Sequence, residues 1–217
     1  MTKVKICCIA DEDEALKAIA HGADALGLVS SMPSGPGQIS DELIAQIVRI
    51  IPSGVASFLL TCQQHAETVI SQQRMSGVDT LQIVDRFPVA GYAILRSQLP
   101  GISIVQVIHV AGEISVDDAR IIAPYVDALL LDSGNPSLAT KQLGGTGRTH
   151  DWEISRRICE SVATPVYLAG GLNPDNVTEA IRQVRPHGID VCSGVRTNGQ
   201  LDPLKLERFM RAVRQLP

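Results

Sequence analysis

Eight short apolar segments alternate with eight amphipathic segments along the chain, and this alternation restricts the possible folds more than any other feature. The spacing predicts strands at residues 4–9, 25–29, 55–60, 80–84, 102–108, 128–132, 166–169 and 189–192. It predicts helices at residues 13–20, 41–51, 65–75, 89–98, 116–123, 152–161, 174–184 and 203–216. Strands that alternate with helices pair in parallel through right-handed crossovers, so the chain is predicted to be an α/β protein.

Two parallel architectures fit this pattern: an open doubly wound sheet and a closed (β/α)8 barrel. The strand–helix unit averages roughly 27 residues, which is regular enough for one circuit of a ring of eight. No GxGxxG segment follows the first predicted strand, and the glycine-rich turns come after the last strands, where barrels bind phosphate. We therefore predict a TIM barrel, with residues 1–217 as one domain.

The composition argues against several classes of partner. The chain has 19 basic and 23 acidic residues, a net charge of −4, and so lacks the basic field that binds nucleic acid or anionic membranes. Its N-terminal segment turns acidic after a short apolar run, unlike a targeting peptide, and no apolar run approaches the ~18 residues of a membrane span. We therefore expect a cytoplasmic protein without a nucleic-acid or membrane partner.

The cysteines give no sign of a disulfide framework or a zinc site, because they are odd in number and no two have CxxC spacing. They are Cys7, Cys8, Cys62, Cys159 and Cys192. We expect no bound metal and no structural disulfide.

Glycine-rich turns follow the last three predicted strands. In such turns successive backbone N–H groups form a concavity that binds anions, although any one of them could be only a tight turn. Three on adjacent loops of one barrel face favour a phosphate site, and a helix expected to open at Asn173-Pro174 would add its dipole. The candidate phosphate ligands are Gly145, Gly147, Gly170, Gly171, Ser193 and Gly194.

A thiol and a carboxylate end two strands on roughly opposite sides of the predicted barrel. Cys7 ends the first strand and Asp132 the sixth, so both are expected at the mouth, where they could act as base and acid. A buried apolar role for the cysteine is the simpler alternative. Alternation along the strand places Lys5 with Cys7 in the interior and turns Cys8 towards the helices. His109, after the fifth strand, is a candidate for the same mouth or an ordinary rim residue.

The motifs, taken together, resemble those of the phosphoribosylanthranilate isomerase family of tryptophan biosynthesis. The matching segments are KIC at 5–7, GADALG at 22–27, LLDS at 130–133, GGTG at 144–147, DW at 151–152, LAGGL at 168–172, and DV and SGV at 190–195. They occur in order over nearly the whole chain.

The resemblance implies an Amadori rearrangement of a phosphorylated N-glycoside, without a metal or cofactor. The ribose ring opens and the aminoaldose becomes an aminoketose. By the same resemblance Cys7 is the general base, Asp132 is the general acid, and the glycine turns hold the substrate phosphate. Lys5 lies two residues from the base on the same face and is expected to favour its thiolate.

The chain departs from the family pattern mainly where the anthranilate would bind. The family's glycine after the catalytic cysteine is replaced by Cys8, and the arginine that holds the anthranilate carboxylate aligns with Gly37. The family's Gln-Leu-His-Gly is here Gln82-Ile83-Val84-Asp85, which keeps Gln82 as a substrate-binding candidate. Asp85 is expected to be unpaired and to repel an anion there. A family glutamate is replaced by Arg196, which could supply the missing positive charge or lie on the surface.

Three functions therefore stay open. The first is phosphoribosylanthranilate isomerase itself; the second is a diverged paralogue that isomerises a different phosphorylated N-glycoside. The third is a barrel that only binds a phosphorylated metabolite, which the retention of both Cys7 and Asp132 argues against.

Overall fold

Eight parallel strands close into a barrel in the computed structural model, which describes residues 1–134, 143, 147 and 149–216. The strands are β1 Lys3–Ile6, β2 Ala25–Val29, β3 Ala56–Thr61, β4 Thr80–Ile83, β5 Ser103–His109, β6 Ala128–Asp132, β7 Val166–Leu168 and β8 Gly188–Val191. Each strand pairs with the next, and β1 closes the ring against β8 with Ile6 opposite Val191. The predicted TIM barrel is confirmed.

The helices surround the barrel in the predicted order. They are α1 Glu12–Ala20, α2 Asp41–Ile50, α3 Ala66–Ser76, α4 Val89–Gln98, α5 Ile114–Ile122, α6 Trp152–Ser161, α7 Val177–Val184 and α8 Pro203–Arg214. The chain also forms two short 3₁₀ helices, Ala123–Tyr125 and Ser193–Val195, and a hairpin of β9 Arg196–Thr197 and β10 Gln200–Leu201 that the sequence analysis did not predict. No helix in the described residues combines the length and apolar character needed to cross a membrane.

Three helix starts follow directly from local side-chain chemistry. The side chains of Asp11, Ser40 and Asp202 accept hydrogen bonds from the first free N–H groups of α1, α2 and α8. The prediction for α7 was wrong, because this helix begins at Val177 and not at Pro174. The Asn173 side chain instead accepts from the N–H groups two and three residues later, which makes a turn before the helix.

Strand alternation divides the buried side chains between two clusters. One set, which includes Ile6, Leu59 and Leu131, packs in the larger cluster with the helices. The other set fills the barrel interior and includes Phe58 and Val105. The interior is therefore packed through its lower part, and free space is left at the carboxyl ends of the strands.

Tyr92 of α4 is fully buried, and its hydroxyl donates a 2.7 Å hydrogen bond to Oε1 of Gln106 on β5. The amide nitrogen of the same glutamine donates to two backbone carbonyl oxygens. We predict that Tyr92→Phe lowers the free energy of unfolding by about 1–3 kcal/mol, because it leaves a buried acceptor without a donor. Urea unfolding would measure the loss, with the exposed Tyr125→Phe as control. An equal effect of the two substitutions would contradict the prediction.

Candidate active site

A cavity lies at the carboxyl ends of the strands, at the face where barrel enzymes place their chemistry. It brings together segments that are far apart in sequence. Its lining includes Cys7, Cys8, Met32, Ser34, Gly35, Pro36, Leu60, Gln82, Asp132, Gly147, Gly170, Gly171, Asp190, Cys192 and Ser193. Both candidate acid/base residues and four of the six candidate phosphate ligands line it.

A buried ion pair lies beside Cys7. Lys5 is completely buried, its ammonium is 2.9 Å from Oδ1 of Asp190, and it lies 5.3 Å from the ring centre of Phe58. Burial by itself would lower the pKa of Lys5, but the negative charge of Asp190 and the hydrogen bonds to Asp190 and Cys7 raise it above its usual value. Lys5 is therefore a fixed positive charge in contact with the candidate base.

Gly27 on β2 leaves the space that this arrangement needs. A Cβ atom at residue 27 would lie 2.7 Å from Sγ of Cys7 and 2.8 Å from Nζ of Lys5. Any side chain there would push the sulfur or the ammonium from its place. The GADALG motif thus contributes directly to the site through the absence of a side chain.

Asp132 is half-buried at the end of β6, and its Oδ1 accepts from the N–H of Ser133 at 2.7 Å. Burial raises the pKa of Asp132, and the charge of Asp190 adds to this, while the Ser133 N–H and His109 oppose it. A carboxyl group with a raised pKa keeps its proton at higher pH than an exposed aspartate does. The electrostatics at this position therefore suit a proton donor.

Gln82 extends from β4 into the same cavity. Its Oε1 is buried and has no hydrogen-bond partner within the described part of the chain. A buried amide oxygen without a donor is costly, so it is available for a donor group on a bound ligand. This agrees with its selection as a substrate-binding candidate.

The glycine turns lie together at one side of the cavity. Gly147, Gly170 and Gly171 all have positive φ, at 67°, 82° and 65°, the backbone geometry of anion-binding concavities. Gly194 packs so tightly on the preceding turn that a Cβ there would lie 2.9 Å from Cα of Asn173. Gly145 lies outside the described residues.

The side chain of Cys8 points in a different direction from the one predicted, which was towards the helices. β1 ends at Ile6, and Cys8 has a left-handed backbone with φ 62°, so strand alternation no longer applies to it. Its thiol therefore lines the cavity with Cys7 and does not point towards the helices. A left-handed backbone favours glycine, the residue that the family resemblance predicts at this position.

Cys8 and Gly37 are in direct contact. A Cβ atom at residue 37 would overlap Cβ of Cys8 and lie 2.9 Å from its Cα. Gly37 itself has φ 76°, which again disfavours any other residue. A side chain at position 37 is therefore disfavoured both by the backbone conformation and by the contact with Cys8 in this loop conformation.

Arg196 does not line the cavity, contrary to the expectation that it could replace the missing arginine. Its guanidinium binds both carboxylate oxygens of Glu14 at 2.8 Å, and it donates to the carbonyl oxygens of Cys8 at 2.5 Å and Cys7 at 3.3 Å. Both side chains of the pair are 8% exposed. Arg196 therefore holds the turn that carries the candidate base, and its charge is already matched.

Glu14 completes this arrangement. Burial would raise the pKa of Glu14, but hydrogen bonds from Arg196 and from the N–H groups of Leu201 and Ala10 hold it below its usual value. The ion pair thus joins the β1 turn, α1 and the β9–β10 hairpin.

Two further sequence candidates lie away from the cavity. His109 borders a second cavity between α4 and α5, where its Nε2 is 2.8 Å from the carbonyl oxygen of Val84. Asp85 was expected to be unpaired, and this was wrong. It is buried, and it accepts hydrogen bonds from the N–H of Arg86 and the amide of Gln64. It is therefore not an unpaired charge facing an anthranilate carboxylate.

The sequence analysis did not select Asp190 or Cys192 as site residues. Asp190 is opposite Lys5 in the β1–β8 register, so the motif at 190–191 could have indicated it once that pairing was assumed. Within the described residues, no three His, Cys, Asp or Glu side chains are close enough together to hold a metal ion.

The fold and cavity define a (β/α)8 barrel whose strand ends surround a pocket, the arrangement of barrel enzymes. The model of the N-(5'-phosphoribosyl)anthranilate (PRA) isomerase family matches residues 4–212. The chain belongs to this family, as the motifs predicted.

Relatives cover almost the whole chain. An N-(5'-phosphoribosyl)anthranilate isomerase of Methanocella arvoryzae is 36% identical over 99% of both chains, and one of Haloferax volcanii is 38% identical over 92% of this chain and 86% of its own. The crystal structure of phosphoribosyl anthranilate isomerase from Thermotoga maritima has a TM-score of 0.85 at 28% identity, with both chains fully covered. A structure of the same enzyme type in complex with reduced 1-(o-carboxyphenylamino)-1-deoxyribulose 5-phosphate has a TM-score of 0.83 at 26% identity, again with both chains fully covered.

The contact between Cys8 and Gly37 predicts non-additive substitutions. Gly37→Ala costs about 1–2 kcal/mol for the left-handed backbone alone, and the overlap with Cys8 adds to this. In a Cys8→Gly background the overlap with Cβ of Cys8 is absent and only the 2.9 Å approach to Cα remains, so we expect a coupling energy of about 0.5–3 kcal/mol in a double-mutant cycle of unfolding free energies. Additive effects would show that the two residues do not restrict each other.

The buried ion pair predicts a large loss of stability for Arg196→Met, about 3–5 kcal/mol, because Glu14 is left charged and buried. Adding Glu14→Gln should recover part of the loss. Urea unfolding would measure both, with Arg208→Met as the matched control, since Arg208 forms an exposed pair with Asp175. If the two arginine substitutions cost the same, the buried pair does not hold the turn.

Proposed function

We propose that this chain is a phosphoribosylanthranilate isomerase of tryptophan biosynthesis and catalyses an Amadori rearrangement. The observation that carries the proposal is that Cys7, Asp132 and the glycine turns line one cavity in a member of this family. The substrate is N-(5'-phosphoribosyl)anthranilate, and the product is the corresponding 1-deoxyribulose phosphate. The complex of a related barrel with a reduced form of such a product supports this substrate class.

The phosphate would be held by the turns at the ends of β6, β7 and β8. The backbone N–H groups around Gly147, Gly170 and Gly171, together with that of Ser193, provide donors on one side of the cavity, and Gly194 follows Ser193 in the same turn. Binding of the phosphate by these turns anchors the sugar so that its ring lies between the ends of β1 and β6. Binding energy from the phosphate, which does not react, thus orients the reacting atoms.

Ring opening begins with proton donation from Asp132 to the ring oxygen. The bond between that oxygen and the anomeric carbon breaks, and the nitrogen lone pair forms a cationic Schiff base. The raised pKa of Asp132 supports this role, because the carboxyl group must be protonated before the reaction.

The thiolate of Cys7 then removes the proton from the neighbouring carbon, which the cationic nitrogen has made acidic. The electron pair of that C–H bond forms a carbon–carbon double bond, the Schiff-base cation is neutralised, and the enolamine tautomerises to the aminoketose. The ammonium of Lys5 stays charged beside the sulfur through its pair with Asp190.

The aglycone part of the cavity supports anthranilate less specifically. It is lined by Met32, Leu60 and the loop at Gly35-Pro36, and position 37 carries no arginine. This favours one alternative, isomerisation of another phosphorylated N-glycoside with the same chemistry. The 36–38% identity to named isomerases over nearly complete chains supports the anthranilate substrate more strongly. A barrel that only binds a phosphorylated metabolite would not need the acid/base pair. The cytoplasmic location stays a prediction.

Turnover of N-(5'-phosphoribosyl)anthranilate, followed by the anthranilate fluorescence, tests the proposal. We expect Cys7→Ala and Asp132→Asn each to reduce kcat by about 10²–10⁴-fold, because each removes one proton-transfer step. Cys159→Ala, a thiol substitution on α6 outside the cavity, is the matched control and should keep full activity. A folded protein that binds phosphate but does not turn over this substrate would favour the alternative aglycone.

The pH profile separates the two roles. The base must be ionised and the acid protonated, so kcat/KM should rise with pH and then fall, and the raised pKa of Asp132 widens the pH range in which the acid keeps its proton. In Asp132→Asn the alkaline fall should disappear from the residual activity. If the alkaline limb is unchanged in this variant, another group is the acid.

A further inference from the structure

The turn that carries the candidate base has a backbone conformation that depends on its surroundings. Cys7 and Cys8 follow the end of β1, and Cys8 has φ 62° although it is not glycine. The left-handed region brings Cβ of an L-residue close to the next carbonyl oxygen, so such a residue is stable only where its neighbours hold it there. Two neighbours contact this turn: Gly37 lies against the Cys8 side chain, and Arg196 binds the backbone.

Arg196 acts on the two peptide planes that define φ and ψ of Cys8. Its Nη2 donates to the carbonyl oxygen of Cys8 at 2.5 Å and to that of Cys7 at 3.3 Å. The plane after Cys8 has a second anchor, because the N–H of Ile9 donates to the carbonyl oxygen of Gly27 at 3.0 Å. Among the described residues, the plane between Cys7 and Cys8 has Arg196 as its hydrogen-bond partner. The guanidinium therefore fixes the orientation of this peptide.

The guanidinium is itself held from several sides. Its Nη1 and Nη2 each lie 2.8 Å from one carboxylate oxygen of Glu14, and Nη1 also donates to the carbonyl oxygen of Gly199 at 2.9 Å. Glu14 in turn accepts from the N–H groups of Ala10 and Leu201. Two parallel bonds to one carboxylate fix the plane of a guanidinium, so Arg196 presents its donors in one orientation.

The same arginine directly follows the candidate phosphate turn, the 3₁₀ helix Ser193–Val195. This turn has anchors that do not involve the guanidinium. Gly194 packs against the backbone of Asn173, and the N–H of Asp202 donates to the last carbonyl oxygen of the turn at 2.9 Å. The phosphate turn therefore stays in place without the side chain of Arg196, whereas the peptide after the base does not.

We propose that Arg196, oriented by Glu14, is a positioning residue that holds Cys7 at the correct place relative to the phosphate turn. This rests on the proposed function, in which the substrate is anchored by its phosphate and Cys7 must reach one C–H bond. Arg196 does not line the cavity, so it acts through the backbone and not by touching the substrate. A displacement of a reacting group by about 1 Å can cost about 10²-fold in rate.

Arg196→Lys in the full chain separates positioning from charge balance. Lysine keeps a positive charge beside Glu14, but its compact ammonium lacks the planar fork that binds the carboxylate and both carbonyl oxygens together. We expect kcat for N-(5'-phosphoribosyl)anthranilate to fall by about 10–100-fold. The inhibition constant of inorganic phosphate should stay close to the wild-type value.

The matched control is Arg208→Lys, because Arg208 pairs with Asp175 on the surface, and it should leave both values unchanged. An unchanged kcat in folded Arg196→Lys protein would overturn the proposal. A parallel loss of phosphate binding would also overturn it, since the arginine would then act through the phosphate turn.

A glycine at position 8 gives a readout that a merely stabilising role would not change. Glycine adopts the left-handed conformation without steric cost, so the turn needs the guanidinium less. Arg196→Lys should therefore reduce kcat by a smaller factor in a Cys8→Gly background than in the wild type. The same factor in both backgrounds would show that Arg196 does not act through this turn.

Alkylation tests the position of the turn without the substrate. Cys7 and Cys8 are each 5% exposed. Iodoacetamide followed by peptide mapping should label the peptide that carries them faster in Arg196→Lys than in the wild type, relative to Cys159, and Arg208→Lys should match the wild type. If the wild-type enzyme has no turnover, the proposed function fails, and the labelling alone decides whether Arg196 holds the turn. Equal labelling of Arg196→Lys and the wild type would overturn the proposal.

Discussion

The pairing of the first strand with the last is the constraint on which the rest of the structure depends. It closes the barrel, and it places Lys5 opposite Asp190 in register, 185 residues apart in the chain. An ammonium in a barrel interior is stable only if an anion accompanies it. The strand pairing that closes the barrel therefore also forms the Lys5–Asp190 ion pair beside Cys7.

The differences between this chain and the family pattern lie mainly near the ends of β1 and β8, where these two strands pair. Arg196 reaches from the end of β8 to the carbonyl oxygens of Cys7 and Cys8, and Glu14 balances its charge from α1. The side chain of Cys8 lies against Gly37 and fills the space that a Cβ atom at residue 37 would need. A change at one of these positions alters what its neighbours tolerate, since buried charges need partners and packed atoms cannot overlap.

Local patterns predicted much of the structure because they depend on near neighbours. All eight strands and eight helices were found in the predicted order, and β2, β6, α4 and α6 have the predicted ends. The start of α7 was wrong because the side chain of Asn173 forms a turn with Asp175 and Asn176, which competes with helix formation at the following proline. Cys7 and Asp132 were expected at the mouth because strand ends converge in any closed barrel, and both line the cavity. Gln82, which was selected through the family resemblance, also lines it.

The sequence by itself determined the barrel, the family and the positions of a thiol, a carboxylate and several glycine turns at one face. Periodicity and motifs contain this information, because secondary structure and strand order follow from residues near each other in the chain. The tertiary structure alone decided the direction of the Cys8 thiol, the pairing of Arg196 with Glu14 and the contact of Cys8 with Gly37. The ion pair joins residues 182 positions apart, and each of these features depends on a left-handed turn or a barrel closure that no local pattern describes.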